Sequence, residues 1–196
     1  DEPSIMCDMG VAAGREALQQ AGRRAEDVDG VIVGCSNMQR AYPAMAVEIQ
    51  HYLGIEGWGY DLNVACATAA FGLQTAVDAI RNGHARAVLM LNPEICSGHL
   101  NYRDRDSHFI FGDACTAVLV EAADLAHAET QFEVLGTRLK TVFSSNIRNN
   151  AGFLNHAEID PRPEWDRLFT QQGRKVFKEV VPMVSELISN HLTDLG

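Results

Sequence analysis

Five cysteines and seven histidines are the side chains of this sequence best suited to covalent or proton-transfer chemistry. Cysteine reacts as its thiolate and histidine titrates near neutrality, so either type can serve a group-transfer site. Cys7, Cys35, Cys66, Cys96 and Cys115 are scattered, with no C-x-x-C pair. An odd count without a visible secretion signal argues for free thiols, not a disulfide framework. The histidines are equally dispersed, no His/Cys cluster has metal-ligand spacing, and no metal is expected. Each histidine reads as a surface or structural residue. Cys66 differs from the other thiols in its surroundings. A strand-like run over residues 60–64 leads into Ala65-Cys66-Ala67-Thr68-Ala69-Ala70 and then a helical pattern. A thiol there meets the unpaired amides of a helix N-terminus, which stabilise a thiolate. The small neighbours leave room for a thin substrate arm, and the Cys66 amide could itself donate to a developing oxyanion. Against this stands the reading of Cys66 as a small apolar core residue, since free cysteine is among the most buried types. Local sequence leaves both readings open.

The elements that must position Cys66 follow from periodicity. Residues 9–21 are patterned as a helix, and the glycine-bounded apolar run 30–35 as a buried strand. Pro43 suits the first turn of a helix running to Leu53, which Gly54 closes. After Cys66 the helical pattern runs to Ile80 and stops at Arg81-Asn82-Gly83; its first turns carry so little bulk or polarity that the helix is expected to be surrounded. Residues 87–91 form the next strand, and 109–113 with 116–120 read as a pair of strands or one strand with a glycine bend. This alternation predicts an α/β protein with a substantially parallel sheet. Residues 124–170 break the rhythm and predict an excursion, a lid or cap, before a final helix over 171–191.

Composition narrows the function classes. No apolar run approaches the roughly 18 residues of a membrane span, so no membrane association is expected and the reading is a cytoplasmic protein. A net charge of −10 argues against nucleic acid as partner. Basic residues nevertheless cluster between Arg138 and Lys178, eight against four acidic ones. An uneven solvated surface is favoured there over a site for an acidic partner or a phosphorylated ligand.

In order and spacing, the sequence resembles the β-ketoacyl-acyl-carrier-protein (ACP) synthase III group of the thiolase superfamily. The carriers are ALQQAG at 17–22, residues 27–33, Tyr42-Pro43-Ala44 with Ile49-Gln50 and Leu53-Gly54-Ile55, residues 61–71 around Cys66, Phe111-Gly112-Asp113, and Gly173-Arg174-Lys175-Val176-Phe177-Lys178. The resemblance implies a layered αβαβα fold of two similar halves, and a homodimer. The expected division is 1–125 as the first half with the nucleophile, 126–170 as the excursion, and 171–196 as the first helix of an incomplete second half. It further implies that Cys66 is the catalytic nucleophile, acylated by acyl-CoA and then attacked by the carbanion of decarboxylating malonyl-ACP, with no cofactor. Substrate-binding positions carried over are Tyr42, lining a partner's acyl pocket, Arg105 near the CoA entrance, and Gly173 beside the pantetheine channel.

Two departures matter. The family commonly reads Cys-Ala-Gly-Phe where this sequence has Cys66-Ala67-Thr68-Ala69, and loss of the aromatic predicts room for a primer longer than acetyl. Cys115 replaces a usual glycine. None of the seven histidines matches the family's catalytic one, so the His and Asn that polarise the malonyl thioester are expected outside this sequence. Competing readings are a thiolase-type condensation of two acyl-CoAs or another acyl transfer, a cysteine-dependent thioester hydrolase, and a non-catalytic subunit that binds a carrier protein.

Overall fold

The computed structural model describes residues 2–152, 157–159 and 163–196. The chain divides into two compact bodies: residues up to Ile95 together with Asp113–Val134, and Cys96–Gly112 together with Leu135–Gly196.

The first body is a four-stranded sheet between helices. Its strands are β1 (Gly30–Gly34), β2 (Trp58–Leu62), β3 (Ala87–Ile95) and β4 (Asp113–Glu121), in the order β2-β1-β3-β4. β1 runs parallel to both β2 and β3, while β3 and β4 are antiparallel. The expected parallel sheet therefore holds for three strands, and an antiparallel edge strand completes it. Every residue of β1 is buried, which is why its sequence is continuously apolar or glycine. Successive residues serve opposite faces. Val31, Val33, Leu89 and Leu91 pack with Met6, Val11, Met45 and Ile49 of α1 (Ile5–Gln20) and α2 (Met45–Leu53). Ile32, Val88 and Met90 pack with Ala76 and Val77 of α3 (Thr68–Arg81). The strand period of two thus divides the core into one layer on each side of the sheet.

Boundaries moved where side chains cap. α1 starts at Ile5, ahead of the expected residue 9, because the Ser4 hydroxyl accepts the Cys7 amide at 3.4 Å. α2 starts at Met45, with Pro43 just outside it, and ends on Gly54 at φ +72°, the left-handed stop its sequence called for. β2 ends at Leu62 and not at Val64, because Asn63 and Val64 already belong to the turn before Cys66. Residues 113–121 form one strand, and 109–112 are not extended with it.

The second body contains the two-stranded antiparallel pair β5 (Ile147–Arg148) and β6 (Thr170–Gln171), and the long helix α4 (Gly173–Leu195). Phe111 and Phe169 meet edge to face with ring centroids 4.9 Å apart. Buried Asp166 accepts hydrogen bonds from Arg148 at 3.1 Å and Asn150 at 2.8 Å. The basic cluster seen in the sequence is partly consumed here, since Arg148 pairs with Asp166 and Arg138 with Asp194 at 2.6 Å. Parts of the expected 126–170 excursion, residues 153–156 and 160–162, lie outside the described residues, among them His156 and Arg162.

Candidate functional site

Cys66 lies in the 3-10 turn Ala65–Ala67 that links β2 to α3. It is exposed, as are Ala65 and Ala67. This corrects the expectation of a thiol seated at a buried helix start. α3 begins two residues later, at Thr68, and only one of its faces is covered: Thr68, Gly72, Ala76 and Val77 are buried, whereas Ala69 and Ala70 are exposed. Within the described residues α3 is thus covered on one side only. Its small residues serve close approach on the sheet side, where Gly72 meets the Met90 sulfur and a Cβ there would come within 2.6 Å of it.

The other four thiols differ from Cys66 in burial. Cys7 and Cys35 are buried, and Cys96 and Cys115 are partly so. Burial, with the nearby Glu48 and Asp8 carboxylates, pushes the Cys7 thiol up to about 11 against a smaller opposing effect of Arg40. Burial likewise pushes Cys115 up to about 11. The Cys35 sulfur lies 3.3 Å from the Asn37 carbonyl and 3.6 Å from the Glu94 carboxylate.

The turn that carries Cys66 is tied down by side chains. The Ala65 amide donates to Asn63 Oδ1 at 3.0 Å, and the Val64 amide donates to Thr68 Oγ1 at 2.9 Å. Thr68 Oγ1 donates in turn to the Ala65 carbonyl at 2.6 Å. Behind the turn, Asn63 Nδ2 donates to the Ser36 carbonyl at 2.9 Å, and Ser36 gives its amide and hydroxyl to Glu94, each at 2.7 Å. These residues gather at the carboxyl ends of β1, β2 and β3, where open α/β sheets commonly bind ligands. None of Ser36, Asn63, Thr68 and Glu94 is among the site residues expected from sequence, where polar residues around the ends of parallel strands were the available signal.

Tyr42 shares the first body with Cys66. It precedes α2, is 85% exposed, and its peptide bond to Pro43 is cis. Asp61 links the two regions: its carboxylate accepts the Met45 and Ala46 amides at 2.8 Å each, capping α2 from the strand that leads to Cys66. Arg40 holds the same loop through the Pro43 carbonyl at 3.1 Å and Glu48 at 2.5 Å.

Arg105 and Gly173 belong to the second body. Arg105 is exposed in a turn organised by Asp104, which accepts the Ser107 hydroxyl at 2.6 Å and the Asp106 amide at 3.0 Å; these bonds hold the Asp104 carboxyl below its ordinary range. Gly173 opens α4, and a Cβ there would touch only Gln171, so packing does not require glycine. Among the described residues no group of His, Cys, Asp and Glu is arranged to hold a metal ion, and no helix is long and apolar enough to cross a membrane.

Comparison with known proteins adds to this geometry. Residues 60–142 match the family model described as 3-oxoacyl-[acyl-carrier-protein (ACP)] synthase III. Over 98% of its length the chain is 67% identical to a Pseudomonas aeruginosa protein named beta-ketodecanoyl-[acyl-carrier-protein] synthase, of which it covers 55%. The crystal structure of 3-oxoacyl-[acyl-carrier-protein] synthase III from Aquifex aeolicus VF5 matches all of the chain with a TM-score of 0.83 at 24% identity, a likeness of fold, and the chain covers 58% of it. The priming beta-ketosynthase of the R1128 polyketide pathway matches 92% of the chain with a TM-score of 0.76 at 29% identity, and 54% of that structure is covered. The chain therefore spans a little over half the length of these relatives. Over that span the chain is similar in sequence to proteins of the β-ketoacyl-ACP synthase III group, and its α/β layering matches their fold.

Proposed function

We propose that the protein acts in carbon–carbon bond formation of the β-ketoacyl-ACP synthase III type, with Cys66 as the acyl acceptor. The observation that carries this is the 67% identity, sustained over 98% of the chain, to a protein named beta-ketodecanoyl-[acyl-carrier-protein] synthase. The exposure of Cys66, alone among the five thiols, supports it locally. In the reaction, Cys66 Sγ attacks the thioester carbon of an acyl-CoA; the new S–C bond forms as the bond to the CoA sulfur breaks, and the thiol proton ends on CoA. The carbanion left when malonyl-ACP loses carbon dioxide then attacks the acyl carbon. That step forms the C–C bond and returns Cys66 to its thiol after reprotonation. No cofactor is required by this chemistry.

The primer is a medium-chain acyl group. The relative's name specifies a β-ketodecanoyl product, and a condensation that adds two carbons builds such a product from an octanoyl primer. The absence of bulk at Thr68-Ala69-Ala70 agrees with a pocket wider than acetyl requires. Tyr42 is proposed to line the acyl pocket of a second copy in a homodimer, a role its exposure permits, and Arg105 and Gly173 to border the path of CoA or of the ACP arm.

The test is acylation. Intact natural protein is incubated with acetyl-, octanoyl- or longer acyl-CoAs, and the adduct is located by peptide mass analysis, with Cys66→Ala as control. A stable octanoyl thioester on Cys66, formed faster than the acetyl one, is expected. Rapid release of free acid would favour a hydrolase, no adduct would favour a binding subunit, and a clear acetyl preference would overturn the primer assignment.

A further inference from the structure

We infer that Asn63 and Thr68 are positioning residues that clamp the turn before Cys66 and so aim its amide and sulfur at the substrate. The inference rests on Cys66 being the acyl acceptor. Its starting point is Ala65, which at φ +46° is the one non-glycine residue with positive φ among the described residues. Side chains with a Cβ rarely adopt that region, so something must hold it there. The structure supplies the holders on both sides of the residue. Asn63 Oδ1 takes the Ala65 amide, and the Thr68 hydroxyl gives its proton to the Ala65 carbonyl while accepting the Val64 amide.

Both clamps are themselves fixed. Thr68 is only 2% exposed, and its hydroxyl is used as donor and as acceptor. Its methyl lies over Gly34, where an added Cβ would come within 2.6 Å of Thr68 Cγ2 and 2.8 Å of Asn92 Nδ2. Asn63 is held through the Ser36 carbonyl, and Ser36 through the Glu94 carboxylate. The clamp thus reaches from the end of β3 across β1 to the turn after β2.

The consequence concerns the peptide between Ala65 and Cys66. In the turn, the amides of Val64, Ala65, Ala67 and Thr68 are all hydrogen-bonded, and these bonds leave the Cys66 amide out. Were Ala65 to relax to a right-handed conformation, that peptide plane would rotate, carrying the Cys66 N–H and side chain with it. A donor aimed at a developing oxyanion is effective only when preorganised, and small misplacements of reacting groups are costly in rate. Thr68 stands where the resembled family commonly has glycine, so this hydroxyl is a device of the present sequence.

The experiment compares Thr68→Val, Thr68→Ser and Asn63→Ala with the intact natural protein. Two rates are read per folded molecule: octanoyl transfer from octanoyl-CoA to Cys66, and alkylation of Cys66 by iodoacetamide, which needs no oxyanion donor. Thr68→Val and Asn63→Ala are expected to slow acyl transfer by about tenfold or more, with alkylation altered far less. Thr68→Ser, which keeps the hydroxyl, is expected to restore most of the transfer rate. Unchanged transfer in both Thr68→Val and Asn63→Ala would overturn the inference, as would a serine variant as slow as the valine one. If Thr68→Val does not fold, Asn63→Ala at its exposed position decides. If the unaltered protein takes no acyl group on Cys66, it is the proposed function that fails. The clamp is then judged by amide hydrogen exchange across residues 63–68, which must quicken in the variants.

Discussion

At the residue scale, the distinguishing property of Cys66 is access. A thiol that titrates at about 11 is ionised on the order of one part in a thousand at pH 8, and burial hinders the reagent as well. Brief treatment with iodoacetamide at pH 8 is therefore expected to label Cys66 while sparing Cys7 and Cys115, both held near 11. Peptide mapping reads the order of labelling, and modification of Cys7 before Cys66 would contradict the described burial. The backbone beside the thiol gives a second prediction. Ala65→Val puts a β-branched side chain at φ +46° and is expected to lower stability by about 1–3 kcal/mol in urea unfolding. Ala65→Gly removes the conformational penalty but adds freedom to the unfolded chain, so its net effect is expected within about 1 kcal/mol. Cys66 itself was legible in the sequence because a lone thiol between a strand pattern and a helix pattern is conspicuous. The left-handed Ala65 was not, because alanine carries no signal for it. Only the bonds from Asn63 and Thr68 make that conformation tenable.

At the element scale, the ends of helices and strands are joined by carboxylates. Asp61 ties the start of α2 to β2, and Glu48 ties α2 to the start of α1. Burial pushes the Glu48 carboxyl up, but the amide and hydroxyl of Ser4 (at 3.0 and 2.7 Å) and the Arg40 guanidinium outweigh it and hold the carboxyl below its ordinary 4.5. The sign of the linkage follows. A carboxyl lowered in the folded state adds stability above its unfolded value of about 4.5, and that contribution is lost as pH falls through the lower folded value. Urea midpoints measured from pH 7 downward should drop more steeply below about pH 4.5 for the unaltered protein than for Glu48→Gln, which has no proton to gain. Parallel profiles would rule this out. Such ties explain the boundary shifts: periodicity located α1, α2 and β2, whereas Ser4, Asp61 and Asn63 set where each begins or ends. Their partners are distant in sequence, so no local window could contain them.

At the scale of the whole molecule, α4 presents an apolar stripe to solvent. Phe177, Val180, Val181, Val184, Ile188, Leu192 and Leu195 recur at helical spacing and are all exposed. The neighbouring row, Val176, Met183 and Leu187, is half-buried. Contiguous exposed apolar surface of this kind marks a contact face. This 196-residue chain is accordingly expected to self-associate with rising concentration in sedimentation velocity, and the pair Val184→Lys with Ile188→Lys is expected to weaken that association without altering the far-ultraviolet circular dichroism. A concentration-independent monomer would refute it.

The sequence by itself determined the class of fold, the alternation of elements in the first body, and which of five thiols merited attention. These depend on local patterns: apolar period, glycine stops, and a cysteine at a strand-to-helix junction. Family resemblance was equally legible, since it is carried by motif order. Tertiary structure alone decided that the Cys66 turn is exposed, that α3 buries one face only, and that Ser36, Asn63, Thr68 and Glu94 converge on that turn. The physical reason is that hydrogen-bond partners and burial are set by the parallel pairing of β1 with β2 and β3, which brings together residues that no stretch of sequence holds side by side.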